Sequence, residues 1–256
     1  MAERPRVYKT EGVILRRRNI GEADTIFTVL SEREGKFDAV ARGVRKARSR
    51  MRGHLEPLTR SRLMLARGRS LDVFTQAETV NPHRQIREDL ERTAVALCCV
   101  ELVDRFTVEH AEAGEIYHLL VALLESLDEG LSSNVIRHFE LQLLAEAGYE
   151  LQLGGCTLCG RRLPAEETLL APAAGGLVCF DCRSAAGEGR LVSVATIKVL
   201  RYARTVDMRT FGGLRMPTEV ETELRAALAG VVRYHLDREL NLPRYLREIE
   251  ALPEQA

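Results

Sequence analysis

The 256-residue sequence contains no tryptophan, and aromatic residues make up only 5% of it. Platforms on which bases or sugars stack are therefore scarce. Long apolar runs are missing too. The longest lies around Leu119–Leu124, far short of the roughly 20 residues that cross a bilayer. The opening MAERPRVYKTEG lacks the apolar core of a secretory signal. A soluble, cytoplasmic protein with no membrane partner is expected. No G-x-x-x-x-G-K-[ST] phosphate loop occurs, which argues against nucleotide hydrolysis, and neither H-E-x-x-H nor G-x-S-x-G is present. The histidines His54, His83, His110, His118, His138 and His235 are scattered. None stands at a catalytic spacing from an acid. Glu22 and Asp24 imitate a carboxylate metal pair but read as turn residues. No catalytic residue is expected, and a metal-dependent nuclease built on that pair is the weakest of the function classes.

With 45% hydrophobic and 29% charged residues, the chain can build one large domain or two to three small ones. Its formal net charge of zero hides a division. Residues 1–80 hold 18 Lys plus Arg against 10 Asp plus Glu, a net of +8, and the remainder carries −8. A basic binding module on a more acidic scaffold is the implied arrangement.

Residues 7–80 read as five short strands spaced by turns. The first runs through Glu11–Arg18, and Thr25–Ser31, Lys36–Ala41, Ser61–Ala66 and Leu71–Glu78 follow. That pattern predicts a small barrel, and the OB-fold is the five-stranded barrel that most often binds nucleic acid. A ligand-free β-sandwich is the alternative. Asn81-Pro82 reads as a linker. Apolar residues then recur at helical spacing in three stretches: Val95, Cys98, Cys99, Leu102, Phe106; Ile116 to Leu127; and Ile136, Phe139, Leu143, Leu144. The third stretch opens at Ser132 or Ser133 and stops at Gly148. Together they predict a helical bundle with Cys98 and Cys99 as core thiols. Ser193 caps a helix through about Val206, and Thr218-x-x-Glu221 fits a capping box on another. These two helices are expected to return to the bundle, and the tail beyond Leu252 to fray. The domains expected are 1–80, an OB-fold; 81–148, helical; 149–190, a zinc module; and 191–256, the returning helices. The fold class is α+β and multidomain, a helical bundle with an inserted ribbon behind an OB-fold barrel.

Two constellations carry chemistry. Cys156-Thr-Leu-Cys159 and Cys179-Phe-Asp-Cys182 are two tight turns separated by nineteen residues. Facing each other, they supply four sulfurs for one tetrahedral Zn²⁺, and four protein ligands leave no open position, so the metal is structural. Thr168–Ala171 and Gly176–Val178 supply the hairpin of a zinc ribbon. Metal binding contributes on the order of 10 kcal/mol to the folding of such modules. Arg161 and Arg162 beside a ligand leave open a contact between the ribbon and DNA or a partner.

The second constellation is the run from Arg42 to His54. It holds Arg42, Arg45, Lys46, Arg48, Arg50 and Arg52, with no carboxylate between Asp38 and Glu56. Gly43 and Gly53 bracket it, which predicts a mobile loop or wing rather than a long helix. Alone, such a run reads as a solvated charge cluster. Between the third and fourth strands of a basic barrel it reads as a phosphate clamp, because arginine forks suit phosphate. Of the four aromatics in residues 1–80 (Tyr8, Phe27, Phe37, Phe74), most are expected in the core, so binding is expected to be chiefly electrostatic.

The stretch Gly21 to Gly53, GEADTIFTVLSEREGKFDAVARGVRKARSRMRG, resembles the amino-terminal domain of the RecO family of recombination mediators. Gly21-Glu22-Ala23-Asp24, Glu34-Gly35-Lys36 and Ala41-Arg42-Gly43 carry the resemblance, with Leu55-Glu56-Pro57-Leu58 and Gln76-Ala77-Glu78 behind them. The order of barrel, helices, four-cysteine module and returning helices is similar across essentially the whole chain. The resemblance implies a bacterial, nucleoid-associated, non-enzymatic DNA repair protein. Such a protein binds single- and double-stranded DNA, anneals strands and, with RecR, helps load RecA onto strands coated by single-strand-binding protein, whose tail it contacts. It assigns DNA contacts to Arg42, Arg45, Lys46, Arg48 and Arg50, more weakly to Arg16, Arg17 and Arg18, and zinc to Cys156, Cys159, Cys179 and Cys182. Leu58 departs from the family, where an aromatic is common. The competing reading is a zinc-ribbon adaptor for RNA or protein.

Overall fold

A computed structural model describes residues 6–236. The five expected strands form, with β1 longer than its apolar core suggested. They are β1 (Val7–Ile20), β2 (Asp24–Ser31), β3 (Gly35–Ala41), β4 (Arg60–Ala66) and β5 (Asp72–Asn81). Their order is β1-β2-β3-β5-β4, and β4 pairs back onto β1 to close a barrel. β1 serves two neighbours: Val7–Val13 pair with β4, and Gly12–Ile20 pair with β2. The two pairings overlap at Gly12 and Val13. A Cβ at Gly12 would stand 2.5 Å from Val29 Cγ1, so only glycine lets the strands approach there. The register slips by one residue between Ile14 and Arg16, a bulge. β3 and β5 run parallel, pairing Ala39 with Asp72 and Val40 with Val73.

Alternation along the strands fills the barrel with Ile14, Phe27, Val29, Phe37, Leu63, Leu65 and Phe74. Phe27 meets Phe74 edge to face at 5.9 Å. Tyr8, the fourth aromatic, is half-buried and donates to Asp72 Oδ2 at 2.7 Å, with Arg67 over its ring. All four barrel aromatics are thus engaged.

Helices α1 (Arg84–Glu88), α2 (Leu90–Phe106) and α3 (Gly114–Asp128) pack with the barrel in one compact unit that ends at Glu129. Asp89 caps α2 by accepting from the Arg92 amide at 3.0 Å. The second unit begins at Gly130. It contains α4 (Asn134–Glu146), the strands β6 (Thr168–Ala171), β7 (Gly176–Val178) and β8 (Arg190–Val192), and the helices α5 (Val194–Ala203), α6 (Met208–Gly212) and α7 (Thr218–His235). The three expected helices over 84–148 form, with a further short helix, α1, before them. α2 and α3 pair with each other and with α1, whereas α4 packs on α5, α6 and α7. Periodicity marks an apolar face but does not name the face it meets.

The expected hairpin is present, pairing Leu169 with Val178 and Ala171 with Gly176, and β8 adds a third strand on the other side of β6. Ser193 caps α5 through the Thr196 amide as expected. The expected capping box does not form. Pro217 holds the cap position of α7, and the Glu221 carboxylate instead accepts from Ser133 Oγ at 2.9 Å. α4 opens as expected with Ser133 at its cap position, though without a side-chain cap bond, and Ser132 Oγ donates to the Gly212 carbonyl. Cys99 is buried and Cys98 half-buried on α2. The expectation for the tail beyond Leu252 lies outside the described residues. Among the described residues, no helix is long and apolar enough to cross a membrane.

Candidate nucleic-acid interface and metal centre

The basic run leaves β3 at Ala41 and is fastened at both ends. At its start, Gly43 adopts φ +65°, a conformation that favours glycine. The Gly43 amide donates to Asp24 Oδ1 at 2.7 Å, and the Arg45 amide to the Ala23 carbonyl at 3.0 Å. Val44 turns inward and is 2% exposed in the barrel core. At its far end a single 3-10 turn, Arg52–His54, leads to Leu55, which returns to the same core. His54 Nδ1 accepts from the Thr79 amide at 3.2 Å, which places the ring proton on Nε2. Ser61 Oγ donates to the His54 carbonyl at 2.7 Å. No long helix forms between the fastenings.

The segment that follows is also held. Leu58 is buried at φ +68°, donates its amide to the Ile14 carbonyl at 2.9 Å, and accepts at its own carbonyl from His83 Nδ1 at 2.7 Å. Burial pushes the His83 pKa down, which keeps the ring neutral in this role. Arg87 donates to the carbonyls of Pro57 and Pro82 and to Thr59 Oγ1. Leu58 is therefore a buried backbone corner and offers no stacking surface.

Between the fastenings, Arg42, Arg45, Lys46, Arg48, Arg50 and Arg52 are all exposed. Arg45 Nη1 donates to the Gly21 carbonyl at 3.2 Å. The other five have neither an ion pair nor a side-chain hydrogen bond among the described residues. The three arginines late in β1 differ. Arg16 meets Asp104 at 2.7 Å and Arg17 meets Glu56 at 2.7 Å, whereas Arg18 is exposed without an ion pair among the described residues. Two of these three charges are already matched. Asp24 serves as the anchor of the loop, and Glu22 is exposed at the β1–β2 turn. Arg50, Met51 and His54 form one wall of a groove of about 690 Å³ over β1, β4 and β5. Sequence reasoning passed over the anchors Asp24, Val44, Leu55, His83 and Arg87. Two of them left a signal, because Val44 and Leu55 are apolar residues set at the two ends of a run of cations.

In the second unit the four cysteines converge. The Sγ atoms of Cys156, Cys159, Cys179 and Cys182 all lie within 4.8 Å of one another, and Cys159 and Cys179 are 3.7 Å apart. Four sulfurs about 2.3 Å from one tetrahedral Zn²⁺ stand about 3.8 Å apart, so the spacing and donor set fit one such ion. Each pair is a tight turn. The Gly160 amide donates to the Cys156 carbonyl at 2.9 Å, and the Cys182 amide to the Cys179 carbonyl at 3.1 Å. Burial works to raise the Cys156 thiol, but the backbone at Cys179, Cys159 and Leu158 outweighs it and holds the pKa down to about 6. A thiolate is the form that ligates metal. Hydrogen bonding to the Cys179 and Cys159 sulfurs pushes Cys182 up to about 12, so filling the site must expel a proton there. Arg161 bridges the two turns by pairing with Asp181 at 2.6 Å. Among the described residues, these four cysteines are the group placed to hold a metal.

Residues 4–83 match the family model for the recombination protein O N terminal region, and residues 87–243 match that for the recombination protein O C terminal region. A DNA repair protein RecO from Roseiflexus sp. (strain RS-1) is 37% identical over 253 residues, which cover 97% of this chain and 88% of the relative. One from Dehalococcoides mccartyi (strain CBDB1) is 34% identical over 250 residues, 97% of each chain. Another, from Moorella thermoacetica, is 33% identical over 246 residues, covering 96% of this chain and 92% of the relative. With both models matched in order and named relatives aligned along nearly its full length, the chain belongs to the RecO family.

Proposed function

We propose that this chain acts in DNA repair as a mediator that holds DNA backbones through the Arg42–Arg52 loop of its barrel. The observation that carries this reading is the pairing state of the loop. Five exposed cations lack a carboxylate partner among the described residues, yet their backbone is fastened to the barrel core by Val44 and Leu55 and to Asp24. An ordered scaffold carrying unmatched arginines suits repeated phosphates, and it reads no base edges. The loop therefore tolerates single and double strands alike. Neutralising phosphates also lowers the repulsion between complementary strands, which supports annealing. Arg18 extends the cationic surface, and Arg16 and Arg17 join it only by leaving their acids. One Zn²⁺ held by the four cysteines has a structural part, and no catalytic turnover is assigned.

Family membership supports the finer role: working with RecR and helping RecA onto strands coated by single-strand-binding protein, in the bacterial cytoplasm. A groove of about 830 Å³ in the second unit suits the acidic tail of that coating protein. It is lined by Leu191, Ala226, Gly230 and Tyr234, with Arg190 and Arg233 at its walls.

The decisive experiment combines Arg45, Lys46, Arg48 and Arg50 to Ala and follows DNA binding and strand annealing across a salt series. Affinity should fall, and the log–log salt slope on single strands should flatten by up to about 3. Unchanged affinity and slope would remove the loop from the interface. Preference for structured RNA over both DNA forms would instead favour the adaptor reading.

A further inference from the structure

The tips of the two cysteine turns are apolar and open. Leu158 lies inside the first pair, and Phe180 inside the second is 71% exposed. The barrel phenylalanines, together with Phe139 and Phe211, are at most 3% exposed. Phe180 is thus the most exposed aromatic ring among the described residues. Apolar side chains exposed singly are ordinary, so it is what surrounds this ring that distinguishes it.

The surroundings of the ring indicate which kind. The Arg183 guanidinium stands over it, its carbon 5.0 Å from the ring centroid, and is steered there by a 3.5 Å hydrogen bond to the Glu167 carbonyl. Arg161 pairs with Asp181, the residue after Phe180, so this arginine from the first turn lies beside the second. Arg162, the next residue, is exposed with no ion pair among the described residues. A planar cation on one side of an exposed ring, with an exposed arginine next in sequence to the one that reaches the second turn, is an arrangement that can accept a base on the ring and phosphates on the cations.

We propose that Phe180 is a stacking platform for an unpaired nucleobase of single-stranded DNA, with Arg183 and Arg162 holding the flanking phosphates. The inference rests on the DNA-binding reading above and adds to it a contact that duplex DNA cannot make, since its bases are already stacked. The zinc module then lets a protein whose loop holds both forms of DNA favour the single-stranded one. A protein partner covering Phe180 and Leu158 is the competing occupant, and it needs apolar area rather than an aromatic plane.

Because the chain has no tryptophan, Phe180→Trp installs a single reporter at the proposed contact. The full-length, zinc-loaded variant is titrated with a dye-labelled oligodeoxythymidylate and, separately, with an abasic phosphodiester strand of the same length. Anisotropy of the dye reads total binding in both titrations. The base-bearing strand should quench the tryptophan, and the abasic strand should not. Phe180→Leu should lower single-strand affinity about fivefold or more, the least expected for one stacked base. It should leave duplex affinity unchanged, and Phe180→Tyr should restore binding. Bound strand without quenching overturns the inference while the loop reading stands. Full affinity in Phe180→Leu overturns it in favour of a plain apolar contact. If neither strand raises the anisotropy, both readings fall.

Discussion

Asp24 is an acid in the middle of a basic surface, and its partner explains it. Its carboxylate accepts from the Gly43 amide where the loop turns through φ +65°, so it fixes the path of the cations while meeting none of them by ion pairing. Asp24→Ala should cost about 1.5–3 kcal/mol of stability, the usual effect of losing a hydrogen bond to a charged group. It should weaken DNA binding with the salt slope intact, because every loop cation remains. A slope that flattened as it does on removing an arginine would show that Asp24 acts through charge. Glu140 on α4 poses a different residue-scale question. Burial pushes its pKa up to about 7, against the pull of Arg137, whose guanidinium lies 2.8 Å away. The folded state thus prefers the neutral acid. Its contribution to stability is complete below the ordinary value of 4.5 and is lost as pH rises through about 7. Glu140→Gln should therefore leave stability unchanged near pH 4 and raise it above pH 7, by at most roughly 3 kcal/mol. Thermal melts across that range test the sign, and a loss of stability at pH 8 would show that the charged pair with Arg137 is the favoured state.

At the scale of elements, what could be read in the sequence was what is local. The barrel strands alternate over short runs between turn residues, and the cysteine turns and the Thr168–Ala171 and Gly176–Val178 hairpin are set by spacing alone. β8 escaped because Arg190–Val192 is three residues long and exists through pairing with β6, some twenty residues earlier. α6 is a five-residue helix held by the Asp207 cap, too short for a period to show. The basic run showed its charge but not its fastenings, because those depend on a strand turn and a helix distant in sequence. The capping box failed because Glu221, free on paper, is taken by Ser133. The acid with a capping role near that helix is Glu223. Its carboxylate accepts from the Ser193 amide and hydroxyl and from Thr196 Oγ1, tying the start of α5 to α7. Burial alone would raise its pKa, but the Ser193 and Thr196 hydrogen bonds outweigh it and hold it down. Glu223→Ala removes the acceptor shared by the Ser193 amide and the Ser193 and Thr196 hydroxyls, and a loss of about 2–3 kcal/mol is expected in denaturant unfolding. A cost below about 0.5 kcal/mol would mean that water replaces the carboxylate.

For the whole molecule, the barrel and the cysteine module are stabilised by different means, and that difference is testable. The barrel holds a core of large side chains, Phe27, Phe37 and Phe74 among Ile, Leu and Val. The cysteine module has a core of Cys156, Ala171, Val178, Cys179 and Ala186. Side chains this small bury too little apolar area to offset the ordering of a loop-rich segment. A metal held by the four cysteines would provide what the core does not. Stripping the metal with a chelator should accordingly act on one part of the chain. Hydrogen exchange should speed up at Cys156, Gly160 and Cys182, whose amides close the two turns, while amides in β1–β5 keep their protection. The arginine loop is anchored in the barrel, so duplex DNA affinity and its salt slope should survive chelation. Equal loss of protection in the barrel and the module would show that the two unfold together, and that the metal supports the proposed DNA-holding surface as well as its own ligands.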